Sequence, residues 1–166
     1  MLIAETARLY VRYFTLDDAP FILQLLNSPT WLTFIGDRKV RSLDDARNYL
    51  VNGPIASYDR YGFGLYLVAL KEGNKSIGMS GLIKRDGLDD VDVGFALHPD
   101  YEGQGYAYEA TAAVMDYGRH TLQLPRIVAI TTEENKHSIA LLQKIGLHHE
   151  KMILLPGNER EYMYFS

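Results

Sequence analysis

The stretch Val91–Ala113, VDVGFALHPDYEGQGYAYEATAA, constrains the fold more than any other, because its hydrophobic period changes partway along it. Val91, Val93, Phe95 and Leu97 alternate with Asp92, Gly94, Ala96 and His98, the period of a half-buried strand. Pro99 lacks a backbone donor and ends that ladder. The turn Glu102-Gly103-Gln104-Gly105 follows, and from Tyr106 to about His120 the residues favour helix with almost no breakers. A strand, a glycine turn and a helix start with small residues make a place to hold an anion. The first N–H groups of the helix lack partners, the macrodipole adds positive charge, and glycine lets a phosphate approach the backbone. The same residues also read as an ordinary glycine-rich loop with helix capping, and local pattern alone leaves both readings open.

The flanking chain supplies a sheet for this unit to join. Arg8–Phe14 (RLYVRYF) alternates as a strand does. Thr15-Leu16-Asp17-Asp18 has the form of a capping box and predicts a helix to about Asn27, ended by Ser28-Pro29. Ser42-Leu43-Asp44-Asp45 repeats the signal and predicts a second helix through Leu50, as far as Tyr58 at its longest. The connection Thr30–Arg41 holds the only tryptophan, Trp31, near Phe34, Ile35 and Gly36; it reads either as packing or as a substrate pocket. Gly62–Leu70 and Lys75–Lys84 are strands joined by the hairpin-type Lys71-Glu72-Gly73-Asn74. Arg126–Thr132 is a short β-branched strand, and Lys136–Ile145 a helix closed by Gly146. Leu147–Leu155 and Arg160–Phe165 are a last pair of strands around Pro156-Gly157-Asn158. The order β-α-α-β-β-β-α-β-α-β-β predicts one mixed α/β (α+β) sheet with helices on its faces, not a doubly wound repeat.

At 166 residues, with 47% apolar and 23% charged positions, the chain suits one globular domain spanning 1–166. A net charge of −4 speaks against non-specific nucleic-acid binding, which needs a concentrated basic face. The absence of cysteine removes disulfides, thiolate metal sites and cysteine nucleophiles. No apolar run approaches a membrane span of roughly 18 residues, and Glu5 and Arg8 interrupt any signal-peptide core. A cytoplasmic protein with no nucleic-acid or membrane partner is the expectation.

Several kinds of chemistry drop out. Gly103-Gln104-Gly105 lacks the third small residue and the later acidic residue of a dinucleotide fingerprint, and no Gly-Lys-Ser/Thr follows it as in a P-loop. Gly78-Met79-Ser80-Gly81 lacks nucleophile-elbow spacing. The histidines (His98, His120, His137, His148 and His149) show no metal-ligand spacing, so a metal is not expected.

Gly94-Phe95 on a strand, followed by Pro99-Asp100-Tyr101-Glu102-Gly103-Gln104-Gly105-Tyr106-Ala107-x-Glu109-Ala110, resembles the acyl-CoA signature of the GNAT N-acetyltransferase superfamily. Within it, the pattern is most similar to the RimJ/RimL-like branch, whose loop commonly reads Tyr-Trp-Gly-Lys-Gly-Tyr-Ala-x-Glu-Ala. Asn135-Lys136-His137-Ser138 and the Ile139–Leu147 segment resemble that branch's Asn-x-x-Ser…Glu-Lys-x-Gly-Phe. The element order agrees over nearly the whole chain.

The resemblance implies a mostly antiparallel mixed sheet splayed at its central strand, with Gly94 as the natural site of a bulge. It implies that the amides of Glu102, Gly103, Gln104, Gly105, Tyr106 and Ala107 hold the pyrophosphate of acetyl-CoA. The strand edge at Phe95, Ala96 and Leu97 would bond the pantetheine amides, and an amide near Gly94 would stabilise a developing oxyanion. Asn135 would bond the cofactor, and Ser138 would protonate the departing thiolate directly or through water. Asp92 is the expected general base, with Glu102 second. Glu102 stands where relatives carry Gln, Arg or an aromatic, and a carboxylate there repels a pyrophosphate unless it turns outward. Leu142 occupies the position where many relatives carry a tyrosine acid; Tyr106 and Tyr108 read as helix packing or cofactor rim. The acceptor amine, a protein N-terminus or a small amine, amino acid or antibiotic, would enter between the Trp31–Arg38 loop and the Pro156–Glu159 turn, with Trp31 and Phe34 as substrate contacts. A CoA-binding module without catalysis is the rival reading, and the family includes monomers and homodimers.

Overall fold

The computed structural model describes residues 1–166. In chain order its strands are β1 (Leu2–Glu5), β2 (Leu9–Arg12), β3 (Leu65–Leu70), β4 (Lys75–Ile83), β5 (Val91–Leu97), β6 (Ile127–Thr131), β7 (His149–Ile153) and β8 (Tyr162–Phe165). Its α-helices are α1 (Ala19–Leu26), α2 (Pro29–Phe34), α3 (Leu43–Leu50), α4 (Ala56–Tyr61), α5 (Tyr106–Asp116) and α6 (Lys136–Lys144). The eight strands form one sheet in the order β1-β2-β3-β4-β5-β6-β8-β7. Only β5 and β6 run parallel; every other pair is antiparallel. No helix is long and apolar enough to cross a membrane.

Helices cover both faces of the sheet. On one side Ala110, Val114 and Met115 of α5 and Leu142 of α6 pack onto Val11, Tyr66, Val68, Ile77 and Val93. On the other, Ile22, Leu25 and Leu26 of α1 and Ala46 and Leu50 of α3 pack onto Leu67 and Met79. Alternate residues of β3 therefore serve opposite cores, which is why LYLVAL is apolar throughout rather than alternating. With Tyr66, Leu67 and Val68 all fully buried, each contributes roughly 1.5–3 kcal/mol of apolar burial.

Two elements escaped the sequence pattern. The strand β1 is four residues long, half exposed, and pairs only with β2, so its alternation carries little apolar signal. Ser28-Pro29 does end α1, but it also starts α2: Ser28 sits extended at ψ 151° and Pro29 occupies the first helical turn, where its missing N–H is harmless. The segment expected as a loop from Thr30 is thus helical through Phe34. The second predicted helix is α3 and α4 joined by a wide turn, Val51–Ile55, around Pro54, which cannot donate to the ladder. A similar wide turn, Tyr117–Thr121, carries α5 on past Asp116. Gly146, at φ +97°, closes α6 as expected, with Leu147 N bonding Leu142 O at 3.0 Å and Gly146 N bonding Gln143 O at 3.0 Å. Leu147 belongs to the core rather than to the strand that follows.

The splay lies at the centre of the sheet. Between β5 and β6 only Val91↔Ile127 and Asp92↔Val128 pair, and the strands part from Val93 onward. Gly94 is not a bulge: the register against β4 runs from Ile83↔Asp92 through Gly81↔Gly94 to Gly78↔Leu97 without a shift. The opening comes from β6 turning away, not from a kink in β5.

Candidate active site

The glycine turn stands at the mouth of that opening. Pro99–Tyr101 forms one 3-10 turn, and Glu102 N bonds Pro99 O at 3.2 Å. Gly103 and Gly105 then take φ values of +77° and +84°, a left-handed backbone that side chains with a β-carbon resist. Gly105 is the N-cap of α5, and the next backbone bond is Glu109 N to Gly105 O at 3.0 Å. The amides from Gly103 to Tyr108 have no backbone partner, and Glu102 through Gly105 are exposed. These are the groups that a phosphate at a helix start would engage.

A brace across the sheet edge fixes the turn, and sequence reasoning missed it. The Arg8 guanidinium donates from Nη1 to Gln104 O at 3.0 Å and from Nε to Glu109 Oε1 at 2.8 Å. Its backbone N–H and the Thr6 hydroxyl both donate to Glu109 Oε2, at 3.0 and 2.5 Å. Its guanidinium also lies 4.3 Å from the centre of the Tyr106 ring. Burial pushes the Glu109 carboxyl up, but the Thr6 and Arg8 donors outweigh it and hold it below its ordinary value. Residue 8 lies 101 positions from residue 109, so no local pattern could pair them.

Along the opening, β5 offers a free edge. His98 N bonds Ile77 O at 2.8 Å, and the antiparallel register makes Ala96 and Gly94 the further positions bonded to β4. The amides of Phe95 and Leu97 therefore face the gap left by β6. Of the three edge residues expected to bond a ligand, Ala96 turns its backbone groups to β4. The Gly94 amide also turns to β4, so Phe95 supplies the amide that faces the gap next to it.

Asn135 and Ser138 meet on the other lip. Asn135 is the N-cap of α6, its Oδ1 accepting the Ser138 N–H at 3.2 Å. Its side-chain N–H₂ stays unpaired, and the Ser138 hydroxyl, on a residue only 7% exposed, makes no hydrogen bond within the protein. Leu142, one turn along α6, is packed into the core.

Asp92 sits where β5 and β6 part and is 1% exposed. Arg85 Nε donates to its two oxygens at 3.0 and 3.2 Å. Burial raises the Asp92 carboxyl to about 6, while the attraction of Arg85 pulls it back down. Such a group is ionised at pH 7–8 yet close enough to neutrality to accept a proton, which is the property a general base needs.

One cavity of about 1700 Å³ joins these parts. It runs from Gly103 and Gly105 past Phe95 and Ser138 to Asp92, and on to Trp31 and Phe34 beneath the helical layer. That exceeds the roughly 300–1,000 Å³ of a single small-ligand pocket and leaves room for two reactants end to end. Trp31 is 5% exposed and packs in the α1/α3 core while lining the cavity; Phe34 is half-buried. Asn158, from the Pro156–Glu159 turn, lines the same end. The Tyr108 ring is covered by Lys144 Nζ at 4.2 Å, and Tyr106 by Arg8, so both tyrosines stand at the rim in cation–π contacts.

Comparison with known proteins matches this geometry to a family. A sequence profile described as "Acetyltransferase (GNAT) domain" covers residues 8–148. The uncharacterized N-acetyltransferase YnaD of Bacillus subtilis is 27% identical over 164 residues, 96% of this chain and 93% of that protein. Among solved structures, an acetyltransferase from Agrobacterium tumefaciens superposes with a TM-score of 0.83 at 25% identity, covering 98% of this chain and 92% of that one. The ribosomal L7/L12 α-N-protein acetyltransferase RimL in complex with coenzyme A superposes at 0.84 with 19% identity, covering 99% and 96%, a likeness of fold. The chain belongs to the GNAT family of acetyltransferases, enzymes of the acyl-CoA N-acyltransferase class.

Proposed function

We propose that the protein transfers an acetyl group from acetyl-CoA to a primary amine in a ternary complex, and that it belongs to the RimJ/RimL-like branch. The observation that carries this is the continuity of one cavity from the free amides of Gly103–Tyr108, along the unpaired edge of β5, to the buried Asp92. The fit to acetyl-CoA rests on those features: a helix start for a pyrophosphate, an open strand edge for two amide groups, and a hydroxyl and an amide at the far lip. Acetyl-CoA supplies an activated carbonyl, with a thiolate as leaving group.

This chain's residues do the rest. Glu102 to Ala107 hold the phosphates through backbone amides, a role that does not depend on the exposed Glu102 side chain. Phe95 and Leu97 orient the pantetheine arm, and Asn135 donates from its free N–H₂. Asp92, directly or through a water, takes the proton that the ammonium group must lose before its nitrogen forms the new C–N bond. The second proton of the nitrogen goes to solvent as the C–S bond breaks, while the Ser138 hydroxyl gives a proton to the sulfur and regains one from solvent. With no cysteine in the chain, no thioester with the enzyme forms, and transfer is direct.

A protein N-terminal amine is the acceptor that the branch resemblance and the fold likeness to RimL support. An α-amine titrates near 7.7–8.0 and needs less help from a base than a lysine near 10.4. A small-molecule amine is the second reading, favoured by the half-buried Phe34 and the buried Trp31 at the acceptor end. Saturating acetyl-CoA should raise the melting temperature, and a panel of amines and N-terminal peptides should include acceptors that release free CoA. An unchanged melting temperature refutes cofactor binding; no release above the hydrolysis blank refutes the transfer.

A further inference from the structure

The acceptor end of the cavity carries a charge opposite in sign to the chain. The protein is formally −4. Its acceptor-side lining nevertheless presents Arg38, Lys39 and Arg60 from the helical layer, with Lys84 and Arg85 just beyond β4. Against these stand two carboxylates, Asp45 and Asp92. Asp92 is bonded to Arg85 and almost fully buried, so its charge is balanced by Arg85 where the acceptor enters. Asp45 accepts the Arg41 N–H at 2.9 Å as part of the first turn of α3.

The cations are less well compensated. Arg38, Lys39 and Arg60 are exposed, and none has a carboxylate within 4.0 Å. Lys84 is held by carbonyl oxygens, of Leu88 at 2.8 Å and Asp89 at 3.0 Å, which take two of its three donors without neutralising it. We infer that the acceptor is a primary amine that itself carries one or more carboxylates, and that polyamines and lysine-flanked amines are disfavoured. The inference rests on the acetyl-transfer reading above.

Two effects act in the same direction. A second positive charge on the acceptor meets like charge at the cavity mouth, whereas a carboxylate finds donors there. A cationic surrounding also lowers the pKa of the attacking amine and so raises its neutral fraction. Each uncompensated cation changes the affinity for a unit charge by about two- to threefold at surface dielectric and moderate salt, and three together by about tenfold.

The test measures acetyl-CoA-dependent CoA release with glutamate, with an N-terminal peptide rich in Asp and Glu, with the matched peptide rich in Lys, and with spermidine. The expected result is a kcat/KM about tenfold or more higher for the acidic peptide than for its lysine counterpart, with the gap narrowing at high salt. Glutamate used as well as the peptide assigns the acceptor to free acidic amines; the peptide alone assigns it to acidic N-termini. The Arg38→Glu/Arg60→Glu variant should reverse the preference while acetyl-CoA still raises its melting temperature. Cationic acceptors used equally or better overturn the inference and leave the transferase reading intact. A preference unchanged in the double variant also overturns it. If no acceptor is used although acetyl-CoA binds, the transferase reading fails and the inference falls with it.

Discussion

Replacing Asp92 by Asn should stabilise the protein at neutral pH while slowing its reaction. Desolvation lifts the Asp92 carboxyl from its ordinary 3.8 to about 6, roughly two pKa units at about 1.4 kcal/mol each. The folded state therefore holds the proton more tightly than the unfolded chain does. Between about pH 4 and pH 6 it binds more protons, so stability falls as pH rises through that window. Above about pH 6 the full penalty of roughly 3 kcal/mol for an ionised, buried Asp92 is present. Asparagine does not ionise and escapes it, although its amide leaves a buried N–H group beside Arg85, which takes back about 1 kcal/mol. The expected outcome at pH 8 is a variant about 2 kcal/mol more stable than the parent, read from urea midpoints at an unchanged slope. Towards pH 4 only the cost of the amide is left, so the variant should become about 1 kcal/mol less stable than the parent there. In the same variant CoA release should drop by about 10²-fold or more, the acid limb near pH 6 should disappear, and acetyl-CoA binding should hold. A stability difference that does not vary with pH, or a variant less stable at pH 8, refutes the desolvation argument. Equal turnover removes Asp92 from the mechanism.

Three other substitutions separate the parts of the site. Gly105→Glu forces a β-carbon into φ +84°, within 3.3 Å of Arg8 Nη2, and puts a carboxylate at the phosphate position; the rise in melting temperature with acetyl-CoA should be lost, and its survival would disprove the cradle. Arg8→Ala removes the brace on Gln104 and Glu109, so KM for acetyl-CoA should rise about tenfold, the share of a charge-assisted contact or two, with kcat nearly unchanged. A fall in kcat at constant KM would show that Arg8 acts elsewhere. Ser138→Ala should lower kcat about 10²-fold, at the low end for loss of a proton donor, and leave acetyl-CoA binding intact; an unchanged kcat assigns the proton to solvent.

What could be read from the residues was local. The change of period at Pro99, the glycine turn and the caps at Ser42 and Gly146 each depend on a few neighbouring positions, and each has its counterpart in the structure. The missed elements lack such local signals. The half-exposed β1 is held in place by β2, and Pro29, which reads as a stop, is equally suited to a first helical turn. The parting of β5 from β6 leaves no mark on β5, which is why Gly94 was a reasonable place to expect a bulge and the wrong one. At the site, the residue types and their order were legible, but their partners were not. Nothing near Asp92 in the chain announces Arg85 as its ion-pair partner, and nothing near Glu109 points to Thr6 and Arg8. The charge of the acceptor end is likewise a property of tertiary structure, since residues 38, 60 and 85 meet only around the cavity.

The central claim is direct transfer of an acetyl group from acetyl-CoA to an amine, and following the label from acetyl-labelled acetyl-CoA tests it most directly. With an accepted amine present, label should appear in the amine in one-to-one ratio with free CoA, none should remain on the protein, and neither reactant alone should give product. Label retained on the protein would contradict direct transfer, and the absence of labelled amine across the whole acceptor panel would contradict the account itself.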